Sequence, residues 1–310
     1  MTGTVTDLVV RSLSGTIDLR VERTQYRGHA GEIAAAAGDE LVIVLGGDGS
    51  INEVINGLMH RNAMSADAGE GEAGLAGAGL AGAGPPLIAV IPGGGGNVFA
   101  RALGLPADAA EAIRRVRDVI EEGKYRTVGL GLAGDRYFTF SAGLGMDAEV
   151  VHEVEKARAS GRKESTSLFL RTMVRHLYRG TDRRTPALTL ERDGQPPLRG
   201  LFLTIITNRS PWTYYRGRAV LPVPNPDFNS GLDVLALCRV SLTTIYGAVL
   251  QMLLIRKRPP RGRNLTAVHG VESLTVRSAR PIAFQVDGEY LGEVEEVKFQ
   301  FIPHALRVVA

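Results

Sequence analysis

The sequence predicts an α/β first half built on a parallel sheet, followed by a largely antiparallel β second half. Two continuous aliphatic runs, Leu41–Leu45 and Leu87–Ile91, each lead into a glycine loop and then a helical period. Repeated strand–loop–helix units imply layered, parallel α/β architecture. Unbroken rather than alternating apolar runs are those of strands covered on both faces. From about residue 128 the texture changes to short strand-like runs joined by Gly-Asp and Asp-Gly turns, the pattern of antiparallel hairpins. The 310 residues suffice for two domains. The boundary falls near 125–128, giving domains at 1–127 and 128–310, with 303–310 either staying in the second domain or returning to the first.

Taken in order, Ile17–Glu22 alternates like a strand and Ala30–Ala37 is helical. The run 41–45 is a strand; 51–59 is a helix with Ile51, Val54, Ile55 and Leu58 on one face. Residues 64–86 contain GLAGA twice in tandem, at 74–78 and 79–83. Low complexity without aromatics predicts a disordered surface insertion there. Leu87–Ile91 is a buried strand, VFARALG starts a helix, and 107–122 is a helix with Ile113, Val116 and Ile120 in line. In the second half, 128–145 and 185–208 each read as hairpins, turning at Gly134-Asp135 and Asp193-Gly194. Further strands are expected at 232–237, 273–277, 282–286 and 297–302, and helices at about 165–179 and 242–257.

Composition excludes several classes. The chain is 44% hydrophobic with net charge +3 and a pI of about 9.1. That mild basicity suits anionic ligands or an anionic membrane surface and does not call for nucleic acid. A single cysteine, Cys238, excludes an internal disulfide and a cysteine zinc site and fits a reducing cytoplasm. No signal peptide is visible at the N-terminus, and the longest apolar stretch, Leu242–Ile255, is too short to span a bilayer.

The motifs narrow the chemistry. GLGLAG at 129–134 satisfies a dinucleotide pattern, but a turn and a second strand follow it instead of a helix, so it is a hairpin. Neither a Walker loop nor a G-x-S-x-G elbow occurs, and the six histidines lack metal-ligand spacing. What remains is a pair of glycine loops, GGDGS at 46–50 and PGGGGN at 92–97, at equivalent ends of two strands. Loops of this kind let a backbone or an anion come close to a helix N-terminus. Asp48 in the first loop is either a helix cap or a carboxylate beside phosphate that needs a cation or a proton to accept. Asp287-Gly288-Glu289 is either an ordinary hairpin turn or an acid pair displayed at a strand end.

Read in order, GGDGSIN (46–52), PGGGGNVFARALG (92–104), SAGLGMDAEVV (141–151), DGE (287–289) and IPHALRV (302–308) resemble the diacylglycerol kinase catalytic family. The likeness is to its bacterial soluble type, which is related to sphingosine and ceramide kinases. The resemblance implies a phosphofructokinase-like α/β domain, a β-sandwich second domain, and ATP lying between them on the GGDGS loop. It implies that Gly46, Gly47, Asp48, Gly49, Ser50, Ile51 and Asn52 cradle phosphates, with Gly94, Gly95 and Asn97 in the second loop and Thr24 also at the nucleotide. Glu289 would take the proton of a lipid hydroxyl, with Asp48 the rival base. Asp227, Ser230 and the Leu232 carbonyl match a Mg²⁺-associated segment. The implied reaction is ATP- and Mg²⁺-dependent phosphorylation of a lipid, diacylglycerol first. The alternatives are a sphingoid or other lipid alcohol, NAD, or a non-catalytic lipid- or nucleotide-binding role.

Three departures from the family pattern stand out. The family's first strand, ending in N-P-x-x-G, has no counterpart before VTDLVVRSL. Gly95 replaces a hydroxyl residue, the loss of one hydrogen bond worth about 1 kcal/mol. Ser230-Gly231 stands where Asp-Gly is usual, which weakens the cation site. For partners, the expectations are a lipid substrate, peripheral contact with an anionic membrane from the cytoplasm, no nucleic acid, and a homodimer left open. The membrane candidate is RKRPPRGR at 256–263, five of whose eight residues are Arg or Lys, against the reading of a solvated helix end whose cations offset the dipole. Arg171, Arg175 and Arg179 on helix 165–179 are a weaker candidate.

Overall fold

The computed structural model describes residues 2–38, 40–67, 84–159, 171–172, 175–176, 185–208, 211–215, 217–222, 227–254 and 258–310. The chain divides into two units, Met1–Val128 with His304–Ala310, and Gly129–Pro303.

The first unit contains helices α1 (Thr2–Leu13), α2 (His29–Ala36), α3 (Asp48–Asp67), α4 (Val98–Ala102) and α5 (Ala109–Glu121) and strands β1 (Val42–Gly46) and β2 (Leu87–Pro92). β1 pairs parallel with β2, and β2 pairs parallel with Arg307–Val309 at the end of the chain's last strand. β2 is buried almost throughout, as an unbroken aliphatic run requires. β1 differs from the expectation: only Val44 is fully buried. It stands at one end of the strand order, so among the described residues it is paired on one side. The α5 start follows its sequence. Asp108 caps it by accepting from the Glu111 N–H at 2.9 Å, and Ala112, Ile113, Val116 and Val119 form its buried face.

Two expectations fail in this unit. Residues 17–22 form no strand. Their alternation has a different cause: Ile17 and Leu19 pack on the cluster of Val9, Leu13, Ile91 and Ile113 while the intervening side chains face solvent. The insertion is also shorter than expected, because α3 runs on through Asp67 and Gly84–Pro86 is ordered. The Pro85 and Pro86 carbonyls both accept from Arg307. Residues 68–83 lie outside the described residues.

α2 and α3 pack backbone to backbone through Gly31 and Gly57. A Cβ on Gly57 would collide with the Gly31 carbonyl, which is helix backbone and cannot swing away. Gly57→Ala is therefore expected to lower stability by about 1–3 kcal/mol, although Ala is the better helix former. Urea denaturation checks the sign.

The second unit is built on antiparallel strands: β3 (Arg126–Ala133), β4 (Arg136–Phe138), β5 (Ser141–Gly145), β6 (Leu188–Arg192), β7 (Gln195–Leu201), β8 (Leu203–Thr207), β9 (Thr213–Tyr215), β10 (Arg218–Val220), β11 (Leu232–Leu237), β12 (Leu265–Val271), β13 (Ser273–Val286) and β14 (Glu289–Val309). Helices described over their full length there are α6 (Met146–Ala159) and α7 (Leu242–Leu254). The hairpins at 134–135 and 193–194 are as expected, with Gly134 and Gly194 at positive φ. GLGLAG lies in β3 and its turn. β13 is one strand where two were expected. Its pairing is interrupted between Arg277 and Ile282, around Pro281, which removes a ladder donor. Before that break β13 pairs with β6, after it with β5. The two branches enclose one core that includes Phe138, Leu190, Ile206, Val234, Val276 and Phe299. This is the sandwich, formed from a branching sheet. β14 outruns its expected 297–302 because it pairs with β13 from Glu289 to Gln300. His304, at φ 49°, marks where it passes to the first unit.

Of the helix expected at 165–179, only 171–172 and 175–176 are described, and these are helical, with Arg171 and Arg175 exposed. Arg179 lies outside the described residues.

Candidate active site

The first unit brings the two glycine loops together. Gly46 ends β1 and Asp48 starts α3; residues 93–97 join β2 to α4. The Gly93 N–H donates to the Gly46 carbonyl at 2.8 Å. A Cβ on Gly94 would sit 2.6 Å from the Gly47 Cα, and one on Gly93 3.2 Å from the Gly46 Cα. The glycines are thus required first for the contact of loop with loop. Asn97, in the left-handed conformation, closes the second loop: its side chain accepts from the Gly94 N–H at 2.9 Å and donates to the Gly94 carbonyl at 2.8 Å.

Asp48 resolves its two readings in an unforeseen way. It is a cap, but of the other helix. Its Oδ1 accepts from the Phe99 N–H at 3.1 Å, 51 residues along the chain, at the start of α4, where Asn97 supplies no side-chain cap. Gly49, Ser50, Gly94 and Gly95 are exposed around this clasp, while Ile51, Asn52 and Asn97 are buried beneath it. Asn52 is held by the Asn56 amide. The N-terminus of α3, a 20-residue helix, so presents its first turn next to exposed glycine backbone, the arrangement that receives a phosphate. Thr24 lies exposed in the irregular segment before α2.

The second unit contributes the DGE turn. Asp287 and Gly288 have φ of 48° and 79°, and Val286 faces Glu289. This is the two-residue hairpin that favours Asp-Gly. The turn is also an anchor. Buried Asp287 accepts from the backbone N–H groups of Thr139, Phe140 and Ser141 and from the Thr139 hydroxyl, at 2.7–3.0 Å. Burial pushes its carboxyl above the ordinary range, and these four donors pull it back. The neighbouring Glu289, mostly covered, is paired to the Arg136 guanidinium at 2.8 Å.

Asp147 emerges from the structure. It is buried at the start of α6, accepting from the Gln285 amide at 2.7 Å and from the Trp212 indole. The other end of the Gln285 amide accepts from the Gly288 N–H at 2.9 Å. A Cβ on Gly143 would strike the Asp147 carboxylate. Farther along α6, Glu155 accepts from the Tyr290 N–H at 3.1 Å and His152 lies against the Tyr290 ring. α6 therefore positions the turn that carries Glu289. Its sequence signal is Met146, Val150 and Val154 at four-residue spacing.

Burial raises the Asp147 pKa to about 6. A raised carboxyl favours folding while protonated, so that stability is complete below about pH 4 and is lost as pH rises through about 6. Asp147→Asn keeps an acceptor without the charge. It is expected to remove this slope and to gain up to about 2–3 kcal/mol over the native chain at neutral pH and above, measured by denaturation at about pH 4 and about pH 8.

The expected cation segment is held in a turn by its own hydrogen bonds. Asp227 forms its own turn, accepting from the Asn229 N–H at 3.0 Å and the Ser230 hydroxyl at 2.6 Å, and Leu232 is buried in β11. Among the described residues no group of three or more His, Cys, Asp or Glu side chains is placed to hold a metal. One carboxylate and a hydroxyl already bonded to it make a sparse octahedral set.

Comparison with known proteins agrees with this layout. Residues 4–131 match the diacylglycerol kinase catalytic domain. The N-terminal part of the chain is thus similar to the catalytic domain of the diacylglycerol kinase family. That match and relatives named diacylglycerol kinase support an enzyme of the lipid kinase class. It is 27% identical over 279 residues to a diacylglycerol kinase of Bacillus subtilis (strain 168), covering 85% of this chain and 76% of that one. It is 28% identical over 270 residues to one of Staphylococcus carnosus (strain TM300), covering 82% and 72%. In fold it is similar to the crystal structure of a diacylglycerol kinase from Bacillus anthracis strain Sterne, with TM-score 0.65 and 19% identity over 99% of this chain and 90% of that one. Among the described residues no helix is long and apolar enough to cross a membrane.

Proposed function

We propose that this lipid kinase transfers the γ-phosphate of ATP to the free hydroxyl of diacylglycerol, with Glu289 as proton acceptor. In that step the hydroxyl oxygen bonds to the γ-phosphorus, the bond to the bridging oxygen of ADP breaks, and the hydroxyl proton passes to the Glu289 carboxylate. The glycine clasp and the first turn of α3 hold the phosphates. The Asp287 anchor and α6 hold the turn that bears the base. Any Mg²⁺ comes bound to the nucleotide phosphates and not to the Asp227 turn. A lipid acceptor resides in a bilayer, so the enzyme works at a membrane surface.

The observation that carries the choice of base is the Asp48–Phe99 bond. It commits Asp48 to a backbone N–H within the fold. Glu289 pairs with a side chain, Arg136, which can rotate aside as a backbone N–H cannot. Diacylglycerol is favoured over other lipid alcohols by the two relatives that span most of this chain.

The test offers labelled ATP with diacylglycerol, a sphingoid base and NAD as acceptors. Label in phosphatidic acid alone is expected. Label in the sphingoid phosphate or in NADP would replace the acceptor. No label in any product, with ATP still bound, would reduce the chain to a binding protein.

A further inference from the structure

The second unit carries an apolar helix with two exposed consequences. α7 buries Ile245, Ala248 and Met252. Its outer face is also apolar: Leu242, Tyr246, Leu250 and Leu254, spaced four apart, are 37%, 69%, 41% and 65% exposed. Four-residue spacing aligns them as one stripe. Large apolar side chains aligned in water mark an interaction surface.

The charge around α7 states the chemistry of its partner. No Asp or Glu occurs between Asp233 and Glu272, while six Arg and Lys do: Arg239, Arg256, Lys257, Arg258, Arg261 and Arg263. Arg239, Arg258, Arg261 and Arg263 are exposed. Two of these are held against the helix. The Gln251 side chain accepts from the Arg261 N–H at 2.9 Å and donates to the Arg261 carbonyl at 3.1 Å, folding 261–263 back on the last turns of α7. Arg261 and Arg263 there line a polar depression with Thr243 and Thr244.

Beneath the same helix lies a small apolar cavity, open at its mouth and bounded by Met146, Val150, Trp212, Leu235, Ala248 and Met252 among others. Ala248 lines both the cavity and the depression. An apolar slot and a cationic seat thus adjoin at one residue.

We propose that α7 with residues 258–265 is the surface by which this protein sits on an anionic phospholipid bilayer, and that the cavity beneath α7 receives an acyl chain of a lipid from that bilayer. The apolar stripe enters the interface as a surface-lying helix does. The arginines meet lipid phosphates. This goes beyond the phosphoryl-transfer reading, because it names a contact that needs neither ATP nor turnover.

The chain has one tryptophan, and it borders the cavity, so Trp212 emission reports occupancy. The probes are vesicles of phosphatidylcholine, the same with added phosphatidylglycerol, and the same with acyl chains brominated near the terminal methyl. Salt-sensitive binding to the anionic vesicles is expected, with quenching of Trp212 by the brominated chains. Tyr246→Glu with Leu250→Glu alters exposed positions only and should weaken vesicle binding by about tenfold or more with an unchanged thermal melt. Arg261→Glu with Arg263→Glu should abolish the preference for anionic vesicles.

Equal binding to neutral and anionic vesicles, unchanged binding by the Tyr246/Leu250 variant, or unquenched Trp212 would each overturn the proposal. So would a native dimer that this variant dissolves without any vesicle binding, which would make the stripe a contact between copies. Vesicle binding without phosphoryl transfer would sink the kinase reading and leave this one. Transfer to a dispersed short-chain acceptor without vesicle binding would do the reverse.

Discussion

Asp287→Ala is expected to cost about 3–5 kcal/mol of stability, or to prevent folding of the second unit. The side chain accepts four hydrogen bonds inside the protein, three of them from consecutive backbone N–H groups at 139–141. Alanine leaves those donors buried without acceptors, and each such group is expensive. Asp287→Asn should fall between native and Ala, since one amide oxygen survives and the NH₂ group faces donors. Urea denaturation of the three proteins checks the order. A loss below about 1 kcal/mol for Ala would mean that water or backbone shifts replace the anchor. Activity should fall with it, because the same turn carries Glu289.

Asp48 gives the second large effect. Its carboxylate caps α4 from the start of α3 and so ties one glycine loop to the other. Asp48→Ala is expected to lower kcat/KM for ATP by about 10- to 100-fold, from a lost cap and a loosened phosphate site. Asp48→Asn keeps an acceptor for the Phe99 N–H and should lose less than about tenfold. If Asn proves as damaging as Ala, the charge and not the cap is what the reaction needs, and Asp48 becomes the base.

The sequence made the parallel layers and the hairpins legible because their signals are local. The aliphatic run of β2, the Asp108 cap and the Gly134 and Gly194 turns each lie within a few residues of what they determine. The failures are non-local. Ile17 and Leu19 alternate with polar residues because both pack on α1 and α5, and period two alone reads as a strand. Asp48 looked like a cap for its own helix, and the helix it caps begins 50 residues later. Asp147 has no meaning until Gln285, 138 residues away, meets it. The glycines of 46–47 and 93–94 signal close approach of a backbone or a ligand, and in the structure the two loops approach each other. The apolar outer face of α7 was visible as composition, but which residues it exposes depends on the sheet packed against its other side.

The central claim is that a lipid hydroxyl gives its proton to Glu289 as it takes phosphate from ATP. The most direct measurement is the steady-state rate of phosphatidic acid formation by the native chain and by Glu289→Gln, at saturating ATP. Loss of a positioned general base should lower kcat by about 10²- to 10⁴-fold with KM for ATP unchanged, since the nucleotide loops lie in the other unit. A glutamine variant that keeps kcat within about threefold of the native rate would contradict it, because no essential proton transfer runs through a group whose removal costs so little.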